Sequence, residues 1–211
     1  MARPKVAILC GGLGTRLGDL TRDLPKPMIP IAGRPFLEYV VDSFRGFEIV
    51  LLTGHKSELI EAHFGDRVAY SREREPLGTG GALRQARALL GERFLVTYGD
   101  VLRRFDYDRF VREHQEPALA VYERLTIGNT DVEGDRVIRF DKRAPELPYI
   151  DAGFSLMDDS IFALLPEQGS YEESVFPVLA SQRQLAAEVV DHDFYDIGTP
   201  EELARTRAAF T

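Results

Sequence analysis

A single cysteine, Cys10, stands in 211 residues, so no intramolecular disulfide can form. A reducing compartment suits such a chain. Long hydrophobic runs are also missing. The apolar stretch nearest the N-terminus is only Val6 to Cys10, too short for a secretory segment. Nothing approaches the roughly 20 residues that a membrane helix needs. These absences predict a soluble, cytoplasmic protein without membrane contact. An excess of basic residues is lacking too. The formal net charge is -8, which argues against a nucleic-acid binder, since such a protein wants a basic face.

Enough apolar material remains for a substantial core: 44% of residues are hydrophobic and 28% charged, which excludes a disordered chain. The length predicts one domain, residues 1–211. Charge is unevenly spread along it. Arg3, Lys5, Arg16, Arg22, Lys26 and Arg34 face only Asp19 and Asp23 in the first 34 residues. A small basic island in an acidic chain suits a small anionic ligand better than a polymer.

Hydrophobic patterning orders the chain into alternating elements. Strands are expected at 6–10, 48–53, 67–71 and 94–98, and helices at 35–44, 56–64 and 80–90. Such alternation indicates βαβ units, a mostly parallel sheet and a doubly wound α/β fold. Ligands of these sheets sit beyond the carboxyl ends of the strands, where residues 11–14 and 99–100 both fall. In the second half, short strands are expected near 119–122, 129–132, 136–140 and 151–157, with a hairpin turn at Gly134-Asp135. They suggest a small antiparallel excursion laid against the main sheet. Short helices are expected at 161–165 and 172–179, and a last strand at 194–198. Thr199-Pro200-Glu201-Glu202 reads as a helix start, with a capping hydroxyl, proline at the first position and acids in the first turn.

Two segments are unusual enough to carry chemistry. In Leu9-Cys10-Gly11-Gly12-Leu13-Gly14-Thr15-Arg16-Leu17, three glycines free the backbone to turn its N–H groups on a phosphate. Arg16 adds a permanent, bidentate cation. Known phosphate loops do not fit: a dinucleotide fingerprint would need glycine at Leu17, and no Gly-Lys-Ser/Thr follows. The failure at position 17 speaks against a dinucleotide-dependent oxidoreductase. In Leu24-Pro25-Lys26-Pro27-Met28, prolines on both sides fix the backbone around Lys26 and keep it out of a helix. A rigidly placed ammonium is useful beside a phosphate under attack, whereas a lone lysine in a proline-rich loop is ordinarily just solvated.

Taken together with Ile31-Ala32-Gly33-Arg34-Pro35-Phe36-Leu37-Glu38-Tyr39, these motifs resemble the N-terminal signature of the sugar-1-phosphate nucleotidyltransferases. The resemblance covers nearly the whole chain, from Val6 to about Leu203. It implies a Rossmann-like fold with a nucleotide-binding half at about 1–115 and a sugar-phosphate-binding half at about 116–211. In Glu75-Pro76-Leu77-Gly78-Thr79-Gly80-Gly81-Ala82 it implies the loop against the base, with Glu75, Gly78, Thr79 and Gly80 as contacts and Thr79 as a helix cap. Leu9, Gly11, Gly12, Gly14 and Thr15 complete the nucleotide set, and Arg16 and Lys26 are the catalytic cations.

Tyr98-Gly99-Asp100 and Tyr195-Asp196-Ile197-Gly198-Thr199-Pro200 resemble the two family segments whose aspartates bind Mg²⁺, which assigns Asp100 and Asp196 as metal ligands. Phe140-Asp141-Lys142 stands where relatives have Phe-x-Glu-Lys, and Asp151-Ala152-Gly153 where many have Asn-Ala-Gly; Asp141, Lys142 and Gly153 are thereby sugar-phosphate candidates. The partners implied are a nucleoside triphosphate and a sugar 1-phosphate, in nucleotide-sugar biosynthesis for cell-surface polysaccharide.

Within the family the motifs look most like guanylyltransferases acting on manno-configured heptose or hexose 1-phosphates. Uridylyl- and cytidylyltransferases share much of the pattern. A non-catalytic nucleotide-sugar-binding regulatory subunit is the alternative of another class, although a binder has no need for Arg16, Lys26, Asp100 and Asp196 together. The sequence leaves oligomeric state open, a homo-oligomer included.

Overall fold

A computed structural model of the chain describes residues 3–12, 14–124, 127–144 and 146–210; Leu13 of the glycine turn lies outside them. The first half runs β1 (Lys5–Leu9), the small hairpin β2 (Pro30–Ile31) and β3 (Arg34–Pro35), α1 (Phe36–Ser43), β4 (Ile49–Thr53), α2 (Ser57–Phe64), β5 (Ala69–Arg72), α3 (Gly78–Gln85), α4 (Arg87–Leu90) and β6 (Arg93–Tyr98). After it come β7 (Val101–Arg103), α5 (Tyr107–Glu113), β8 (Ala118–Glu123), β9 (Thr130–Glu133), β10 (Arg136–Phe140), β11 (Tyr149–Asp158), α6 (Tyr171–Ser181), β12 (Ala186–Val189), β13 (Phe194–Asp196) and α7 (Pro200–Ala209).

Nine strands form one sheet in the order β5-β4-β1-β6-β11-β8-β12-β10-β9. The first four are parallel. From β1 the chain moves outward to β4 and β5, then returns to the other side of β1 as β6. That reversal opens a crevice beyond the carboxyl ends of β1 and β6. The glycine turn leaves β1 there, and Gly99-Asp100 leaves β6 there. The ladder runs on past the strands, with Cys10 N donating to Leu52 O (2.8 Å) and Gly99 N to Leu9 O (3.0 Å).

Both faces of the sheet are covered, which is why β1 reads as a continuous apolar run rather than an alternating one. Val6 and Ile8 point into a core with Phe36, Leu37, Ile60 and Phe110. Ala7 points the other way, toward Leu83, Ala86 and Phe176. This is the period of two expected of a strand.

The second half departs from expectation in one respect. Its antiparallel strands are not laid against the main sheet; they continue it edge to edge, through β11 beside β6. The cause is that β11 is ten residues long and apolar enough to be buried on both faces, so it serves as an inner strand of a large sheet. The Gly134-Asp135 hairpin joins β9 to β10, with Glu133 opposite Arg136 and Gly134 at φ 63°. Register between β11 and β8 slips between Asp151 and Ser155, where Gly153 takes φ 63°. This bulge lets Asp151-Ala152-Gly153 leave the regular pleat.

Smaller differences have local causes. The helix expected at 80–90 starts at Gly78 and breaks at Ala86 into α3 and α4. Residues 159–163 form a 3-10 turn rather than an α-helix, started by the Asp158 carboxylate accepting from Ser160 N at 3.0 Å. The α7 start is as read, with Thr199 Oγ1 accepting from Glu202 N at 3.2 Å.

Phe154 of β11 anchors the junction of the two halves. Its ring meets those of Phe105, Tyr107 and Phe110 at centroid distances of 5.5, 4.9 and 4.9 Å, and it is 2% exposed. Removing it leaves a cavity that these rings cannot all fill. Phe154→Ala is expected to destabilise the fold by about 3–5 kcal/mol, read as a lower midpoint of urea unfolding with an unchanged slope.

Candidate active site

The sequence motifs converge on two joined clefts at the carboxyl edge of the parallel strands. The larger, about 910 Å³, is lined by Leu9, Gly11, Gly12, Glu73, Glu75, Gly78 and Thr79, with Gly54, His55, Arg72 and Arg74 among the others. The smaller, about 320 Å³, is lined by Leu9, Gly12, Gly14, Thr15, Arg16, Lys26, Asp100 and Gly198, with Cys10 and Pro27. Leu9 and Gly12 border both. An elongated ligand can therefore lie across the end of β1 with one end in each cleft.

The glycines of the turn have different jobs. A side chain at Gly11 would collide with the Glu73 carboxylate, and one at Gly14 would press on Lys26 Cβ at 2.9 Å; Gly14 also has φ 66°. Gly12 would meet no atom within 4 Å, so its backbone is open to a ligand. From Thr15 to Thr21 the chain forms a 3-10 helix with only Leu17 and Thr21 buried. Arg16 projects from it, exposed, and makes no hydrogen bond or ion pair with a described residue.

Lys26 sits in a single 3-10 turn between Pro25 and Pro27, and its side chain is 15% exposed. Its Nζ lies 2.5 Å from Asp100 Oδ2. Asp196 is brought to the same place by strand pairing, since β13 runs antiparallel to β7 with Asp196 opposite Val101, and Ile197 N donates to Asp100 O at 3.2 Å. Burial, then the neighbouring charges of Asp100 and Glu202, push the Asp196 carboxyl up to about 6. The N–H of Gly198, 2.5 Å from Asp196 Oδ1, and the Lys26 ammonium act the other way.

The two neighbouring carboxylates of Asp100 and Asp196 fit a divalent cation by donor chemistry. Both are hard oxygen donors of the kind that Mg²⁺ takes. Among the described residues no cluster of three or more His, Cys, Asp or Glu could hold a metal, so further ligands would be phosphate oxygens and water.

On the side of the second half, Glu172 is a hub that the sequence reading missed. It is 7% exposed, and burial raises its proton affinity. Tyr98 Oη donates to its Oε1, and Lys142 Nζ lies 3.3 Å from the same oxygen. Thr79 Oγ1 and Ser170 Oγ donate to Oε2 at 2.9 and 2.7 Å. Sequence gives no signal for this role, because an acid in the first turn of α6 reads as a partner of the helix dipole.

Thr79 is not a helix cap: it lies inside α3, and its hydroxyl also accepts from Tyr171 N at 2.8 Å. Gly80 and Gly81 do not line the larger cleft. They are small because α3 packs on the 166–169 loop, where a side chain at Gly80 would press on Pro166 Cδ at 2.8 Å and one at Gly81 would strike Glu167 O.

Of the sugar-phosphate candidates, Lys142 faces Glu172. Gly153 stands against Arg103 and Tyr98, at 2.8 and 3.3 Å from a hypothetical Cβ. Asp141 is engaged locally, accepting from Arg143 N at 2.9 Å and Arg139 Nη2 at 3.2 Å, and it lines neither cleft. Those donors hold its carboxyl below the usual range. Asp151 accepts from Asn129 Nδ2 at 2.5 Å and from Gly153 N at 3.1 Å.

Glu73 was also missed. Its Oε2 accepts from Leu77 N at 2.9 Å, and burial raises its carboxyl. The only local hint was its place two residues before Glu75.

Comparison with known proteins gives the chain's relatives. The family model described as nucleotidyl transferase matches residues 5–143. D-glycero-alpha-D-manno-heptose 1-phosphate guanylyltransferase of Campylobacter jejuni is 34% identical, over 92% of this chain and 95% of its own. Mannose-1-phosphate guanylyltransferase of Mycobacterium tuberculosis is also 34% identical, over 95% of this chain and 63% of its own. Among solved structures, HddC from Yersinia pseudotuberculosis complexed with GMP-PN superposes with a TM-score of 0.81 at 30% identity, covering 99% of this chain and all of that one.

The burial of Asp196, next to the charges of Asp100 and Glu202, has a consequence for stability. The Asp196 carboxyl rises from an ordinary 3.8 to about 6, so its ionised form opposes folding. That cost is full above pH 6, shrinks as pH falls through 6, and is gone below 4. Asp196→Asn keeps an oxygen for the Gly198 N–H and removes the charge. Allowing for solvent screening, it should stabilise the metal-free protein at pH 8 by about 1 kcal/mol, or roughly 2–4 °C in Tm. Thermal scans at pH 8 and pH 4 should show that gain at the first and none at the second.

Proposed function

We infer the reaction from one premise: this chain belongs to the nucleotidyl transferase family. It is a sugar-1-phosphate nucleotidyltransferase, joining a nucleoside monophosphate from a nucleoside triphosphate to a sugar 1-phosphate with release of pyrophosphate. GTP is the favoured donor and a manno-configured heptose or hexose 1-phosphate the favoured acceptor, as in the guanylyltransferases that the chain resembles. The observation that carries the reading is the convergence of the open Gly12 backbone, Arg16, Lys26 and Asp100 on one cleft, with Asp196 beside Asp100.

The chemistry asks little of the protein in covalent terms. A phosphate monoester has a second pKa near 6, so near neutral pH the sugar phosphate is already an anionic nucleophile. No general base is required, and no histidine lines the smaller cleft. The task is to bring two polyanions together and to stabilise charge at the α-phosphate and on the leaving pyrophosphate.

In this reading the larger cleft takes the base. Glu75, Gly78 and Thr79 lie along its wall. The backbone from Gly11 to Thr15 and the Arg16 guanidinium hold the triphosphate. Lys26 meets the α-phosphate as negative charge develops there. Asp100 and Asp196 would hold Mg²⁺, which when bound neutralises phosphate oxygens and lowers the cost of the negative charge formed. Lys142, tied to Glu172 and thereby to Thr79, steers the sugar phosphate from the second half. The two halves of the chain thus divide the substrates between them.

Lys26→Ala and Asp100→Asn are each expected to lower turnover by at least about 100-fold, measured as pyrophosphate release, with the folded state retained by circular dichroism. Near-normal turnover in both would sink the assignment. Donor and acceptor are tested by offering GTP, UTP, CTP, ATP and dTTP in competition against mannose and heptose 1-phosphates. GTP should win; dominance of UTP or CTP would move the chain to another branch of the family. Binding of the nucleotide sugar with no pyrophosphate released from any pair would point to a regulatory subunit instead.

A further inference from the structure

The turn that carries Arg16 is thinly anchored. Between Thr15 and Thr21 only two residues are buried, and Gly18 interrupts the 3-10 geometry at φ 53°, ψ −122°. Since Arg16 itself has no described partner, its position depends on the backbone beneath it. That backbone is gripped at its far end by a side chain from another loop. Lys56 Nζ donates to Thr21 O at 2.9 Å and also to Arg22 O. Carbonyls at the end of a helical turn lack internal donors and carry partial negative charge, so an ammonium is the fitting cap. Thr21 passes the restraint back along the turn: its hydroxyl lies 3.1 Å from Gly18 O and 3.3 Å from Gly14 O. Gly14 in turn abuts Lys26.

The other end of this link is equally specific. Lys56 follows Gly54 and His55, which line the larger cleft. Its backbone is left-handed, at φ 55°, ψ 36°, a conformation that non-glycine residues seldom adopt. From there its side chain reaches the end of the Thr15–Thr21 turn. One residue thus joins the loop on the base side to the turn on the phosphate side.

We propose that Lys56 is a positioning residue for the triphosphate, holding the Gly14–Arg22 turn so that Arg16 and the backbone amides meet the β- and γ-phosphates. The assignment rests on the reading of the glycine turn as the triphosphate site. It predicts that Lys56 matters for the phosphates beyond the first and not for the base or the α-phosphate.

The experiment is a calorimetric comparison of GTP and GMP binding, with Mg²⁺ present, to the wild-type chain and to Lys56→Gln, Lys56→Arg and Arg16→Ala. The wild type should prefer GTP by tenfold or more. Lys56→Gln should lose most of that preference with GMP affinity within twofold of wild type, and Lys56→Arg, which keeps the donors, should recover at least part of it. Arg16→Ala should lose the preference as well. If Arg16→Ala keeps it, the turn is not the triphosphate site and the assignment of Lys56 falls with it. If Arg16→Ala loses it while Lys56→Gln keeps it, the turn binds triphosphate and the Lys56 proposal alone is wrong. Equal weakening of GTP and GMP in Lys56→Gln would show a merely structural lysine and overturn the proposal. Lys56→Met, also uncharged and similar in length, gives the same readout should the glutamine variant not fold.

Discussion

Everything at the crevice depends on an unfavourable pairing: two aspartates set side by side at the edge of the sheet. Left to themselves the carboxylates would separate. They are kept together because Asp100 ends the turn after β6 and Asp196 ends β13, and β13 is hydrogen-bonded to β7, the strand that Asp100 leads into. Burial first, and then the Asp100 charge, raise the proton affinity of Asp196. Lys26 offsets part of it and is itself fixed by the prolines around it. Backbone pairing therefore does at this edge what side chains could not do alone. It keeps negative charge concentrated at one point of the edge, where a cation would relieve it.

The glycine-rich segments illustrate how one residue type serves unrelated needs. Gly12 leaves its backbone open to a ligand, Gly11 makes room for the Glu73 carboxylate, and Gly14 supplies a left-handed bend against Lys26. In the second segment Gly78 bends at φ 72° beneath Gly169, while Gly80 and Gly81 let α3 sit on the 166–169 loop. Only part of the glycine signature thus speaks of the ligand directly. The rest brings elements close enough for Thr79, Tyr98 and Lys142 to share Glu172.

The parallel half was legible in the sequence because its strands are short apolar runs punctuated by glycine and its helices show a clear apolar period. Lys26, Arg16, Asp100 and Asp196 were legible because their flanking residues are so unusual. What was not legible depends on contacts distant in sequence. Glu172 gains its role from Tyr98 and Thr79, at 74 and 93 residues' separation, and no local pattern encodes that. The continuation of the sheet through β11 was hidden for the same reason: apolar strands buried between sheet neighbours look alike whether they extend a sheet or pack on it. Thr79 and Asp141 show how local partners can take up a polar side chain. Thr79 reads as a cap, yet its hydroxyl accepts from Tyr171 N of a distant element, and the Asp141 carboxylate accepts from Arg143 N two residues on.

The single sheet also bears on how two substrates can be brought together. Many enzymes that join two ligands place them on separate domains and rely on closure. Here the strand next to β6 in the sheet is β11, and the pairing of Thr97 with Phe154 sets Gly153 beside Tyr98. One hydrogen-bonded ladder thereby registers the second half against the carboxyl end of β6. A shift of β11 by one residue would turn every side chain to the opposite face, so the register is locked by the burial of Phe154 and Leu156 on one side and Met157 on the other. The spacing between the two halves is then a property of the core. In the turn bearing Arg16 only Leu17 and Thr21 are buried, and a lysine from the loop after β4 holds the end of that turn in place.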